Sequence, residues 1–247
     1  MSSDVVFCWS TGPSAGDTTL RRRIEPWEFK DSFDPHQLRK ETRLLSEVWW
    51  GKSSRPWRES RQNATHHVEM NFIEKFTSER HLRPHVCCSI TWFLSWSPCW
   101  ECAKAIREFV SQHPKVRLVI YVARLYLYYI QKEENQNGLR ALVAGGVHVQ
   151  IMSDSDYGYC WRNFVNYPPG QEAAWPRFLP VWTALYALEL SCILLSLPPC
   201  LRISRRRQNQ LTFFQVILKN CHYRAIPPLV LSAAGMMHPS VAWCWAE

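Results

Sequence analysis

What this chain of 247 residues has little of narrows it first. Residues 1–20 hold no apolar run of the length a secretory leader needs and no leading basic stretch. The longest apolar stretch, 181–201, is interrupted by Glu189 and ended by Pro198-Pro199. A spanning helix needs about 20 predominantly apolar residues, and a carboxylate near its centre is costly. That stretch therefore reads as a buried helix or a protein contact surface, and no membrane attachment is expected. Without a leader, the ten cysteines do not read as a disulfide framework. The expected setting is reducing, with mostly free thiols, and the sequon Asn63-Ala64-Thr65 would go unused. Charged residues make up only 20% against 47% hydrophobic, which excludes a disordered chain. Internal repeats are absent. Acidic residues are the scarcer sign, 21 against 29 Lys and Arg, and leave a net charge of +8. Such a balance suits a polyanionic partner without requiring one. Tryptophan is abundant, at 13. Indoles fill cores and interfaces, and they also stack on bases.

Along the chain, residues 1–20 are rich in Ser, Gly and Thr and read as disordered. Arg21-Arg22-Arg23 is solvated surface, a nuclear address or a nucleic-acid contact. Residues 34–43 fit a helix and loop, 44–50 a strand, and 52–61 a basic loop with a second strand expected near Trp57. Val68, Phe72, Ile73 and Phe76 have helical spacing. Residues 86–94 and 116–122 are strongly strand-like, and a helix opening at Ser97-Pro98 lies between them. A helix around 139–143 stops at Gly145-Gly146, a strand covers 147–152, and a short helix covers 157–165. Alternation of this kind implies an α/β layered fold around a central sheet.

Two short motifs carry chemistry. His67-Val68-Glu69 opens one expected helix, and Pro98-Cys99-Trp100-Glu101-Cys102 opens another. Cys99 and Cys102 share a helix face in a first turn, where the helix dipole favours thiolate. With His67 they make three ligands of the kind zinc prefers, which leaves a fourth position open for water. Two thiolates cancel the formal charge of zinc and weaken it as a Lewis acid, so a neighbouring proton acceptor is useful; Glu69 is the candidate. His66 and Glu101 are rivals for these roles. Alone, a His is more often structural, and Cys-x-x-Cys has redox and structural uses. The pair, at two helix starts bracketing one strand, matches the zinc-deaminase order H-x-E…P-C-x-x-C, which favours His67 and Glu69.

The stretch Ser95-Trp96-Ser97-Pro98-Cys99-Trp100-Glu101-Cys102 resembles the core of the APOBEC polynucleotide cytidine deaminases. Residues 20–29 (LRRRIEPWEF), 89–94 (SITWFL), 160–170 (CWRNFVNYPPG) and 238–243 (HPSVAW) resemble the messenger-RNA-editing branch of that family. The likeness runs from about Gly16 to Trp243. It implies a cytidine-deaminase-like three-layer fold: a five-stranded mixed sheet flanked by six helices, with a C-terminal hydrophobic extension. The corresponding division is a disordered 1–20, a zinc-dependent deaminase domain over 21–170, and a final helix with a hydrophobic dimerisation or partner region over 171–247. The implied activity is hydrolytic conversion of cytosine to uracil in single-stranded polynucleotides. It is chiefly C-to-U messenger RNA editing of the apolipoprotein B type, with activity on single-stranded DNA as well.

The resemblance also assigns residues. Glu69 is the catalytic proton carrier, and His67, Cys99 and Cys102 hold Zn2+. Asn63 contacts the sugar, and Trp96, followed by Ser97, walls the pocket. Tyr126 contacts the flanking 5′ base, while Arg39 and Lys40 lie at the mouth in reach of phosphate. Phe72 and Phe93 resemble positions linked to RNA binding, although a helix face and a strand suit both of them equally to the core. An RNA-binding complementation factor, a homodimer formed through the C-terminal region, and shuttling between cytoplasm and nucleus are implied too. The loop Leu125-Tyr126-Leu127-Tyr128-Tyr129 and the tail 232–237 depart from relatives, which leaves flanking-base preference and partner strength open. Leu185, Leu188, Leu190, Leu194, Leu195 and Leu197 form a core helix, a dimer surface or an export signal. Two other functions fit the motif pair. One is a deaminase of free cytidine, for which the basic and Tyr-rich loops have no use. The other is a silent RNA-binding scaffold with a structural zinc, for which Glu69 has none.

Overall fold

The expected alternation of strands and helices becomes a mixed five-stranded sheet in a computed structural model of the chain. The structure describes residues 23–37, 39, 41–51, 53–62, 67–78, 87–126, 132–172, 174–178 and 180–196. The strands are β1 (Arg43–Trp50), β2 (Trp57–Gln62), β3 (Cys88–Leu94), β4 (Val116–Val122) and β5 (His148–Ile151), in the spatial order β2-β1-β3-β4-β5. The helices among the described residues are α1 (Pro26–Phe33), α2 (Val68–Ser78), α3 (Trp100–Gln112), α4 (Lys132–Ala144), α5 (Asp154–Phe164) and α6 (Pro180–Leu194). β1 runs antiparallel to β2 and β3, whereas β3, β4 and β5 are parallel. Parallel neighbours require crossovers, which α3 and α4 supply. The carboxyl ends of β3 and β4 thus emerge side by side, where α/β sheets commonly place their sites.

Strand alternation sends apolar side chains to both faces. On one face Phe72 of α2 meets Trp92 edge-on at 5.0 Å, and Phe76 stacks on Trp50 at 5.3 Å. On the other, Leu45 and Phe93 join Phe29 and Phe33 of α1 and Tyr157, Cys160, Trp161 and Phe164 of α5 in one buried cluster. The expected three-layer α/β fold with a mixed sheet is therefore the observed one.

Several expected boundaries shift. The first helix is α1 at Pro26–Phe33, and 34–43 holds no helix among its described residues. Pro26 sits at the first helical position, Glu25 and Glu28 form a capping box, and Pro35 follows the C-cap Asp34. The basic loop is in large part β2, an edge strand whose polar side chains hid its period. Helix α4 begins earlier than 139 and ends where Gly146 adopts φ +84°. Helix α5 starts at Asp154, capped by Ser153, whose backbone N–H donates to Asp156 at 2.7 Å. Cys87, Cys88, Cys99, Cys102 and Cys160 are free thiols.

The chain divides into compact units, residues 1–178 and 179–247. The sheet and α1 to α5 belong to the first, and α6 to the second. In α6, Leu185, Tyr186, Glu189, Leu190 and Ile193 are buried at helical spacing. Among the described residues no helix is long and apolar enough to cross a membrane. Residues 1–22 and 197–247, including Leu197, lie outside the described residues.

Phe93 is 3% exposed and packs against Tyr121, Tyr159 and Phe164. Phe93→Ala is expected to destabilise the fold by about 3–5 kcal/mol. The check is a lower urea midpoint at unchanged slope.

Candidate active site and metal centre

The first turns of α2 and α3 converge. His67 directly precedes α2, and Glu69 lies in its first turn; Cys99 caps α3 and Cys102 follows on the same face. The His67 Nδ1 atom lies 3.0 Å from Cys102 Sγ and 3.3 Å from Cys99 Sγ. All three donor atoms fall within 4.8 Å of one another. An imidazole and two free thiols gathered so closely fit a metal ion of borderline softness, whose tetrahedral set would have a fourth position for another ligand.

Glu69 is 4% exposed. Burial pushes its carboxyl up to about 7; nearby Cys99 adds to this, while His67 and the Cys102 thiol oppose it. A carboxyl poised there exchanges protons readily near neutral pH. Cys99 is brought down to about 6, chiefly by hydrogen bonding from the Cys102 thiol, with burial working against it. Cys102 is pushed far up by that same bond and by burial. A cation held by both sulfurs would favour their deprotonated forms.

A second group of expected residues meets beside this cluster. Ser97, Pro98 and Cys99 are consecutive, so whatever fixes Ser97 also fixes the first thiol. The Ser97 N–H donates to Arg124 O at 2.8 Å, and Ser97 Oγ accepts from the Tyr126 N–H at 2.8 Å. Trp96 is 6% exposed, donates its indole N–H to Arg39 O at 2.8 Å, and meets the Tyr126 ring edge-on at 6.3 Å. Tyr126 is 41% exposed, the most open aromatic of this group. Arg39 is exposed and ion-paired with Asp31. Phe72 and Phe93 lie in the core on opposite sheet faces, away from solvent. Asn63, Lys40 and the rival ligand His66 lie outside the described residues, and Glu101 is exposed on the first turn of α3.

Sequence reasoning missed Arg124. Its guanidinium is fully buried. It donates to the carbonyls of Ser95 (3.0 Å), Asp34 (2.7 Å), Gln37 (2.5 Å) and Ser32, and lies 4.5 Å from the Trp96 ring centre. Planar Arg alone can serve so many acceptors at once. The available signal was a cation placed directly after an apolar strand, where a surface residue was the simpler reading.

A layered fold that sets one imidazole, two thiols and a buried carboxyl on two helix starts defines a class, and sequence comparison gives that class its family. The model described as APOBEC4-like AID/APOBEC deaminase matches residues 32–167, more than half of the chain. The chain belongs to the AID/APOBEC deaminase family. It is 65% identical to the C->U-editing enzyme APOBEC-1 of Homo sapiens over 232 residues, 94% of this chain and 98% of that protein. The proteins of the same name from Mus musculus (60% identical; 92% and 98% covered) and Monodelphis domestica (56%; 94% and 98%) are likewise similar along their lengths.

Two outcomes follow from the geometry. Arg124→Met strips a donor from four backbone carbonyls and is expected to lower stability by about 2–3 kcal/mol; Arg124→Lys recovers only part of this in chemical denaturation. Glu69 supplies the second. Its folded-state value lies above the ordinary one, so the stability it lends is full below 4.5 and is lost as pH rises through about 7. Chelator-treated protein should therefore lose about 3 kcal/mol across that window relative to Glu69→Gln, as read by denaturant titrations at each pH.

Proposed function

We propose that this chain hydrolytically deaminates cytosine to uracil in single-stranded polynucleotides, chiefly as a C-to-U editor of messenger RNA of the apolipoprotein B type, with activity on single-stranded DNA. The observation that carries this reading is the convergence of His67, Cys99 and Cys102 around a buried Glu69, in a chain so similar to C->U-editing enzymes. His67, Cys99 and Cys102 hold Zn2+ in this proposal. Zinc bound by such ligands supplies Lewis acidity that makes water nucleophilic near neutral pH.

Glu69 then works as a proton carrier. It accepts a proton from the water that attacks C4 of cytosine, delivers it to N3, and assists departure of the exocyclic amine. Water and cytosine go in, and uracil and ammonia come out. The base must leave its stack to reach the site. Tyr126, with Trp96 behind it, offers the aromatic surface at the mouth. Arg39 and Lys40 attract phosphate without reading sequence, and Asn63 contacts the sugar. Phe72 and Phe93 influence RNA binding through the core they fill. A homodimer formed through the C-terminal region, an RNA-binding complementation factor, and shuttling between nucleus and cytoplasm complete the proposal. The apolar run ending at Leu201, the Arg21-Arg22-Arg23 run and the net charge of +8 support them.

Purified protein incubated with single-stranded RNA and DNA oligonucleotides carrying one cytosine should convert both. Glu69→Gln should reduce conversion by roughly 10²–10⁴-fold with zinc retained. Turnover of free cytidine alone would support the nucleoside deaminase instead. Bound zinc with no conversion, even in cell extract, would leave the scaffold reading.

A further inference from the structure

The first turn of a helix exposes amides that need partners, and the residue at the N-cap usually supplies one through its side chain. In α3 that residue is Cys99, which makes no conventional side-chain cap because its sulfur faces His67 and Cys102. The Ala103 N–H donates to Cys99 O at 2.8 Å, the ordinary first helical bond. The Trp100 N–H, at the first helical position, is received by Asn135 Oδ1 at 2.9 Å. Asn135 is 2% exposed and belongs to α4, 35 residues away in sequence. The amide at the first position of the ligand-bearing helix is thus received by a side chain of another helix.

That arrangement depends on a close approach. A Cβ at Gly138 would lie 3.1 Å from Trp100 Cα and 3.1 Å from Ala103 Cβ, tighter than ordinary packing allows. Trp100 follows Cys99 directly, and Ala103 follows Cys102. The absence of a side chain at 138 thus lets α4 seat one turn from Asn135, against the residues adjoining both sulfurs.

We propose that Asn135 is a positioning residue of the metal centre: by receiving the Trp100 amide it fixes the first turn of α3, so that Cys99 and Cys102 are presented together. The inference rests on the zinc-deaminase reading above. Partners of this kind govern metal affinity because they hold ligands in place before the ion arrives.

The test uses the full chain and zinc itself, titrated in competition with a chromophoric chelator, together with the absorption spectrum of the cobalt-substituted protein. Asn135→Leu, similar in size and without an acceptor, should bind zinc about 10–100-fold more weakly and shift the cobalt–thiolate bands. Asn135→Asp, which keeps an acceptor in place, should recover most of both. Gly138→Ala, which pushes α4 off α3, should weaken zinc in the same direction. A folded Asn135→Leu protein with wild-type zinc affinity and an unchanged cobalt spectrum would overturn the inference, even if it were less stable. Should Asn135→Leu not fold, unaltered zinc affinity in Gly138→Ala overturns it equally. Failure of the wild-type chain to bind zinc would instead remove the proposed function on which the inference rests.

Discussion

The parallel pairing of β3 with β4 is the constraint from which the site follows. In this register Leu94 lies opposite Val122, so both strands end together. Their extensions stay paired beyond the sheet: the Ala123 N–H donates to Leu94 O at 2.9 Å, and the Ser97 N–H to Arg124 O at 2.8 Å. Ser97 Oγ then receives the Tyr126 N–H. One loop leads into Cys99, and the other carries Tyr126 and Arg124. Arg124 reaches back to carbonyls at the end of α1 and in the turn after it, bringing Arg39 O within reach of the Trp96 indole. The Cys99 thiol, the Trp96 and Tyr126 rings and the Arg39 backbone are therefore indexed to a single strand pair rather than placed independently.

Two buried ionisable groups flank this region and are handled in opposite ways. Around Arg124, fixed carbonyl dipoles and an aromatic face take the place of water. Glu69, by contrast, is pushed toward neutrality, because burial outweighs the hydrogen bonding it receives. A carboxyl so placed is costly to ionise in the metal-free chain and is relieved by a cation held next to it. The same burial that suits Glu69 to the proposed proton transfer thus favours a cation at the neighbouring His67, Cys99 and Cys102 group.

The parts of the fold legible in the sequence were those with a strong apolar period. β3, β4 and the face of α2 carry enough β-branched and aromatic residues to declare themselves. β2 does not, because charges set its register. Glu47 lies opposite Arg58 and is bonded to it at 2.6 Å on one face; on the other, Glu59 takes Arg61 at 2.7 Å and Lys75 at 3.2 Å. A slip of one residue would send each charge to the wrong face. Tyr159 of α5 completes the first pair by donating to Glu47 at 2.7 Å. Apart from Arg61, two residues from Glu59, these partners lie 11 or more positions apart in sequence, so a polar strand read as a loop.

The site divides along the same line. Zinc chemistry imposes local spacing, so Cys99 and Cys102 three apart and the His67-Val68-Glu69 triplet could be read directly. The residues that hold them, Arg124 and Asn135, act across 29 to 92 positions and leave no local pattern. Phe72 and Phe93 show the limit from the other direction, since an aromatic side chain looks alike in a core and in a binding surface. Here alternation along β3 points Trp92 at α2 and Phe93 at α5, and helices cover both faces. Both rings are buried, so in the proposed function substitutions at 72 or 93 would act on a polynucleotide only by deforming the sheet whose carboxyl ends carry the site.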